Sequence, residues 1–206
     1  MNDLNHSNIK WTENVIIADA DYIDKVAFNL TVNFERMLNR KIPQADISQW
    51  AVDIALDGGL REGNHETQVV FIHEQSHSKL ENFNPSVYTK ELNAQAFKDP
   101  KLGEFILSSI STEENISKDD LFLDIVKEVI SQKEVKRVMV VPDAEEGELY
   151  DRIRQTLSYL DDDSKRITVF AMQPMPGGNF RQEILGYSLM NALGIHAEEI
   201  SNSNFQ

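Results

Sequence analysis

Apolar residues along this chain recur at two spacings. Short, nearly continuous apolar runs of strand length stand at residues 14–18, 68–72, 135–141 and 166–172. Between them the spacing turns helical. Ile23, Val26, Ala27, Leu30, Phe34, Met37 and Leu38 follow the first run on one helix face, with Asp21 as a cap and Pro43 beyond the end. Ser117 caps a second helix whose face is Leu121, Phe122, Ile125, Val126, Val129 and Ile130. Further helices are predicted at 146–160 and at 179–193, the latter stopped by Gly194.

Other stretches are less regular. In residues 46–58, Trp50, Val52, Ile54 and Leu56 alternate as in a strand, while Ile47, Trp50, Ala51 and Ile54 share one helix face. The capping-box pattern at Asp46-Ile47-Ser48-Gln49 and the stop at Gly58-Gly59 favour the helix. Asn84-Pro85 suits a helix start running to about residue 97. Residues 104–111 alternate weakly as a strand, and 195–200 has the look of a short last strand.

Strands alternating with helices predict a three-layer α/β sandwich, with a mostly parallel central sheet, helices on both faces and a Rossmann-like plan. The runs at 14–18 and 136–141 are apolar throughout, so both belong in the sheet interior. With 206 residues, one α/β domain over 1–206 is expected, its first ten residues a polar tail.

Composition narrows the chemistry. Acidic residues number 34 against 20 basic, a net charge of −14, so the surface disfavours broad nucleic-acid binding while leaving room for a local basic groove. There is no cysteine, which excludes disulfides, thiolate nucleophiles and Cys-ligated zinc. No apolar stretch approaches the roughly 20 residues of a membrane helix, and no hydrophobic signal segment is visible. A cytoplasmic protein without membrane partners is expected. Self-association is left open.

Two strands end in acids: the first runs into Asp19-Ala20-Asp21, and the strand at 135–141 into Pro142-Asp143-Ala144-Glu145. Ligands of open α/β sheets sit beyond the carboxyl ends of the strands. Carboxylates placed there suit Mg²⁺ or Mn²⁺, which prefer oxygen ligands and can supply a metal-bound water for phosphoester hydrolysis. Asp19, Asp21 and Asp143 are the candidate catalytic residues, and Glu145 joins them as a metal ligand. The same acids also suit plain helix capping.

His73-Glu74-Gln75-Ser76-His77 matches H-E-x-x-H and is similar to the zincin signature over five residues, which makes His73, Glu74 and His77 an alternative zinc site. The pattern needs a helix, yet it follows a strand run; in a strand the two His lie about 13 Å apart. Gly177, Gly178 and Arg181, between a strand and a predicted helix, form a candidate anion site, expected on the same edge as Asp19 and Asp143. Its simpler reading is a tight turn. Asp53 and Asp57 share a helix face and either extend the acidic cluster or face solvent.

The blocks Ala55-Leu56-Asp57-Gly58-Gly59-Leu60-Arg61 and Pro174-Met175-Pro176-Gly177-Gly178-Asn179-Phe180-Arg181-Gln182-Glu183 resemble an uncharacterised, Bacteroidetes-type bacterial family. That resemblance spans nearly the whole chain and implies no activity. The plan is also distantly similar to PIN and NYN nuclease domains, which hold a divalent metal with acids at strand ends; the likeness implies that role for Asp19 and Asp143. The nuclease pattern has a compact acidic run ending in Phe, where this chain has Ala144-Glu145-Glu146-Gly147-Glu148-Leu149. Two functional readings result. One is a divalent-metal phosphoester hydrolase; the other is a non-catalytic module that binds a small molecule, a phosphate-bearing ligand or a protein.

Overall fold

A computed structural model describes residues 9–160 and 162–203; most of the expected polar tail, residues 1–8, lies outside the described residues. In chain order the elements are β1 (Asn14–Asp19), α1 (Ala20–Leu38), β2 (Ala45–Asp46), α2 (Ile47–Asp57), β3 (His65–His73) and β4 (Phe83–Asn84). A π-helical turn, Tyr88–Leu92, precedes β5 (Gln95–Asp99) and β6 (Gly103–Ser111). Then come α3 (Lys118–Ser131), β7 (Arg137–Val141), α4 (Leu149–Ser158), β8 (Arg166–Ala171), β9 (Arg181–Ile184), α5 (Leu185–Ala192) and α6 (Ala197–Ser203).

Seven strands form the main sheet in the order β5-β6-β3-β1-β7-β8-β9. Every pairing is parallel except β5 against β6. The fold is the expected three-layer α/β sandwich with a Rossmann-like strand order. β1 and β7 are interior, and each is buried along nearly its whole length.

The period of two explains both layers. Ile16 and Ala18 of β1, Val69 and Phe71 of β3, and Met139 and Val141 of β7 face α1, α2 and α5. Val15, Ile17, Val70, Ile72, Val138 and Val140 face α3 and α4. Strand order reverses between β1 and β7, because the chain leaves β1 toward β3 and later returns to its other side. The crevice at such a reversal is where ligands of these sheets bind.

The ambiguous segment is helical. Asp46 caps α2 by accepting from the amides of Ser48 and Gln49, and Gly59, at φ +88°, turns the chain out of it. Trp50 packs at the centre of that layer against Phe71 and Phe83.

Three expectations fail for tertiary reasons. No long helix starts at Asn84-Pro85: Asn84 is held in a two-residue ladder with Asp46, Ala94 takes a positive φ, and Phe97 stacks on Phe105 across β5 and β6 at 4.9 Å. The predicted helix at 179–193 begins only at Leu185, because residues 181–184 add a parallel strand to the free side of β8. Residues 195–200 are not a strand. Gly194 reverses the chain at φ +68°, and the Glu199 carboxylate accepts from the His196 amide, starting α6.

Candidate functional site

Asp19 ends β1 and caps α1: its Oδ1 accepts from the Tyr22 amide at 3.0 Å. It is wholly buried, and its Oδ2 has no hydrogen-bond partner among the described residues. Asp21 follows in the first turn of α1. Its Oδ1 accepts from Nδ1 of His77 at 2.6 Å, and its Oδ2 from the Glu74 amide at 2.9 Å.

Lys118, the first residue of α3, joins the two acids. Its Nζ lies 3.0 Å from Oδ1 of Asp19 and 3.0 Å from Oδ2 of Asp21. The ammonium therefore stands between the carboxylates, where a divalent cation would otherwise bridge them. Burial pushes the Asp19 carboxyl up to about 6 despite this partner. Burial also acts to raise Asp21, but hydrogen bonds from His77 and Glu74, with the Lys118 charge, outweigh it and hold that carboxyl below its ordinary value. Burial opposes the charge on Lys118, and the two carboxylates more than offset it, so its pKa is raised.

Asp143 lies at the same end of the sheet but serves its own loop, accepting from the amides of Glu145 and Glu146. Glu145 accepts from the Tyr22 hydroxyl at 2.7 Å. Of the four candidate ligands, then, Asp19 and Asp21 meet through Lys118, while Asp143 and Glu145 are spent on other partners. Among the described residues, no three His, Asp or Glu side chains form a group able to hold a metal.

The H-E-x-x-H segment is the end of β3 and a turn, not a helix. His73 stacks on Tyr88 at 3.7 Å and donates from Nδ1 to the Glu74 carbonyl; burial lowers its pKa. His77 points instead to Asp21, and Glu74 accepts from the Thr112 hydroxyl. This arrangement does not pair the two His on one face as zinc ligands.

Beside Asp21 opens a cavity of about 220 Å³, whose walls include Asp24, Ser76, His77, Lys79, Glu81 and Tyr88. Tyr88 is 1% exposed, and its hydroxyl has no partner among the described residues. Burial, then the negative charge of Asp21, Asp24 and Asp19, pushes its pKa well up, so it stays a neutral donor.

The glycine loop does not share this edge. Arg154 donates to the Gly177 carbonyl, and Asn179 to the carbonyls of Leu157 and Leu160 at the end of α4, so the loop returns along α4. Arg181 pairs with Thr168 near the start of β8, on the amino side of the sheet, opposite Asp19. The cause is β9 itself: a parallel strand after β8 must begin where β8 begins. Asp53 and Asp57 also stand apart from the strand-end acids; Asp53 accepts from Gln49 and Asn191.

Sequence reasoning missed Lys118, Tyr88 and Asp24. Lys118 left one signal, a cation in the first turn of a helix, where the helix dipole disfavours it.

The family comparison matches residues 8–200 to a family of unknown function, DUF6621. The chain belongs to that family. No curated protein and no solved structure matches it. No helix among the described residues is long and apolar enough to cross a membrane.

Proposed function

We propose that this DUF6621 protein is a ligand-binding α/β module, with its site in the acid-walled cavity between the start of α1 and the loop that follows β3. The ligand is a small molecule carrying an amine or several hydroxyls. The observation that carries this reading is the cavity itself, whose walls bring together the carboxylates of Asp21, Asp24 and Glu81 beside the Tyr88 side chain. Asp21 and Asp24 already accept from the amides of Glu74, Glu81 and Asn82, and their remaining lone pairs serve the ligand's N–H and O–H groups, with His77 and Lys79 on the same wall. A phosphate-bearing ligand is repelled here by the three carboxylates.

Metal-assisted phosphoester hydrolysis is the competing reading. It requires Lys118 to leave Asp19 and Asp21, and Asp143 to leave its own loop amides. One nuclear magnetic resonance experiment separates the two. Small amines and amino-polyols are titrated into the wild type and into Asp21→Asn while the His77 ring resonances are followed. Shifts in the wild type that weaken at least tenfold in Asp21→Asn support the ligand module. Mn²⁺ is added separately. Paramagnetic broadening centred on residues 19–21 at micromolar Mn²⁺ overturns this reading in favour of the metal site, as does silence of His77 across the amine series.

A further inference from the structure

The opposite end of the sheet carries the reverse charge. Arg137 opens β7 and Arg166 opens β8, and the two are register partners; Arg181 opens β9 opposite Thr168. Register partners in a parallel sheet share a face, and so do residues two apart on a strand. All three arginines therefore stand on the α2 side, where Met139 and Phe170 continue the same faces into the core.

Gly59 shows how close they come. A Cβ there would stand 3.0 Å from Nη1 of Arg137 and 3.3 Å from Nη1 of Arg181. Two guanidinium groups thus flank one point, and Arg61 follows two residues later. Four of the chain's eight arginines gather here, in a protein of net charge −14.

Few acids answer them. Glu183 pairs with Arg181 at 3.1 Å on an exposed rim, and Glu13 lies near Arg137. Arg137 donates to the Gly58 carbonyl and Arg166 to the Asp163 carbonyl, both uncharged. Among the described residues, no carboxylate forms an ion pair with Arg61, Arg137 or Arg166. Burial first, and then the neighbouring charges of Arg166, Arg181 and Arg61, lower the Arg137 pKa. A cavity of about 190 Å³ is lined by Arg137, Lys165, Arg166, Thr168 and Arg181.

We propose that this amino-end cavity binds the phosphoryl group of a small phosphomonoester, with Arg137, Arg166 and Arg181 as its donors. A guanidinium offers paired N–H groups that match phosphate oxygens, and a dianion relieves the repulsion among three such groups. The cavity has room for a phosphoryl group and the atoms that carry it, and the acidic remainder of the surface repels a polyanionic chain. The site is separate from the acid-walled cavity, which lies across the length of the sheet.

Calorimetry on the full chain tests the assignment, with glycerol 3-phosphate, inorganic phosphate and a single-stranded RNA as probes at matched ionic strength. The expected result is saturable glycerol 3-phosphate binding that weakens at least tenfold in Arg166→Gln and in Arg181→Gln. Arg36→Gln, an exposed change on α1, leaves it unaltered. Inorganic phosphate binding as tightly as the ester identifies the free ion as the ligand and overturns the monoester claim. RNA binding without ester binding overturns it in favour of a nucleic acid. Ester binding that is absent, or equal in all variants, removes the site. Arg166 and Arg181 are exposed, and circular dichroism of each variant confirms that it folds before titration.

Discussion

Asp19 is the residue on which the carboxyl end turns. Its carboxyl titrates near 6, above the ordinary 3.8, because burial costs the anion more than Lys118 returns. A folded state that holds its proton more tightly than the unfolded chain is stabilised below the lower value, and loses that stabilisation as pH rises through the higher one. The window is therefore pH 4 to 6, and a shift of this size corresponds to about 3 kcal/mol. Asp19→Asn keeps the cap and mimics the protonated form. Its stability relative to wild type in urea unfolding is expected to rise by about 2–3 kcal/mol between pH 4 and pH 7. A pH-independent difference would refute the assignment. Lys118→Met removes the charge that Asp19 and Asp21 share, leaving the buried Asp19 with only the Tyr22 amide, and is expected to cost about 3 kcal/mol at pH 7. Adding Asp19→Asn to that variant should recover part of the loss, and a double-mutant cycle measures the coupling.

At the scale of elements, legibility followed burial. β1 and β7 could be read because both faces of each meet a helix layer, so nearly every residue is apolar. β5 could not, since only Phe97 among Gln95–Asp99 brings a large apolar side chain, and its identity as a strand depends on Phe105 across the ladder. β9 was hidden for a related reason. Arg181, Gln182 and Glu183 are polar edge residues, and the apolar spacing at Leu185, Leu189 and Ala192 extends backwards over them as a helix. That one misreading also carried Arg181 to the wrong end of the sheet. The candidate acids were legible as positions, but their partners were not, because Lys118 and Tyr88 come from elements about 70–100 residues away, and spacing reports only local periodicity. α2 offers a direct check of its ends. Asp46→Ala removes a cap bonded to two amides and is expected to cost about 1 kcal/mol. Gly59→Ala forces a Cβ into a positive-φ position against the Arg137 guanidinium and should cost at least about 1 kcal/mol, read as a lower urea midpoint.

For the whole molecule, the sheet is a polar object in the electrical sense: its carboxyl end gathers carboxylates around one ammonium, and its amino end gathers arginines. The two cavities therefore carry opposite charge. Stability is expected to decline outward from the centre of the sheet. In hydrogen exchange, the amides of β1 and β7 should open only with global unfolding, while those of β5 and β9, each paired on one side, exchange earlier. Equal protection across all seven strands would contradict that gradient.

The position of β1 also has a consequence for how the chain is made. It is synthesised first among the described strands, yet one of its two neighbours, β7, emerges about 120 residues later, roughly ten seconds of translation. Throughout that interval Val15, Ile16, Ile17 and Ala18 offer an unpaired backbone edge beside bare aliphatic side chains. The nascent polypeptide must shield this stretch on or near the ribosome, by early docking of α1 and β3 or by a chaperone's grip. A slowed ribosome between residues 73 and 137 lengthens the exposure and raises the yield of aggregated product.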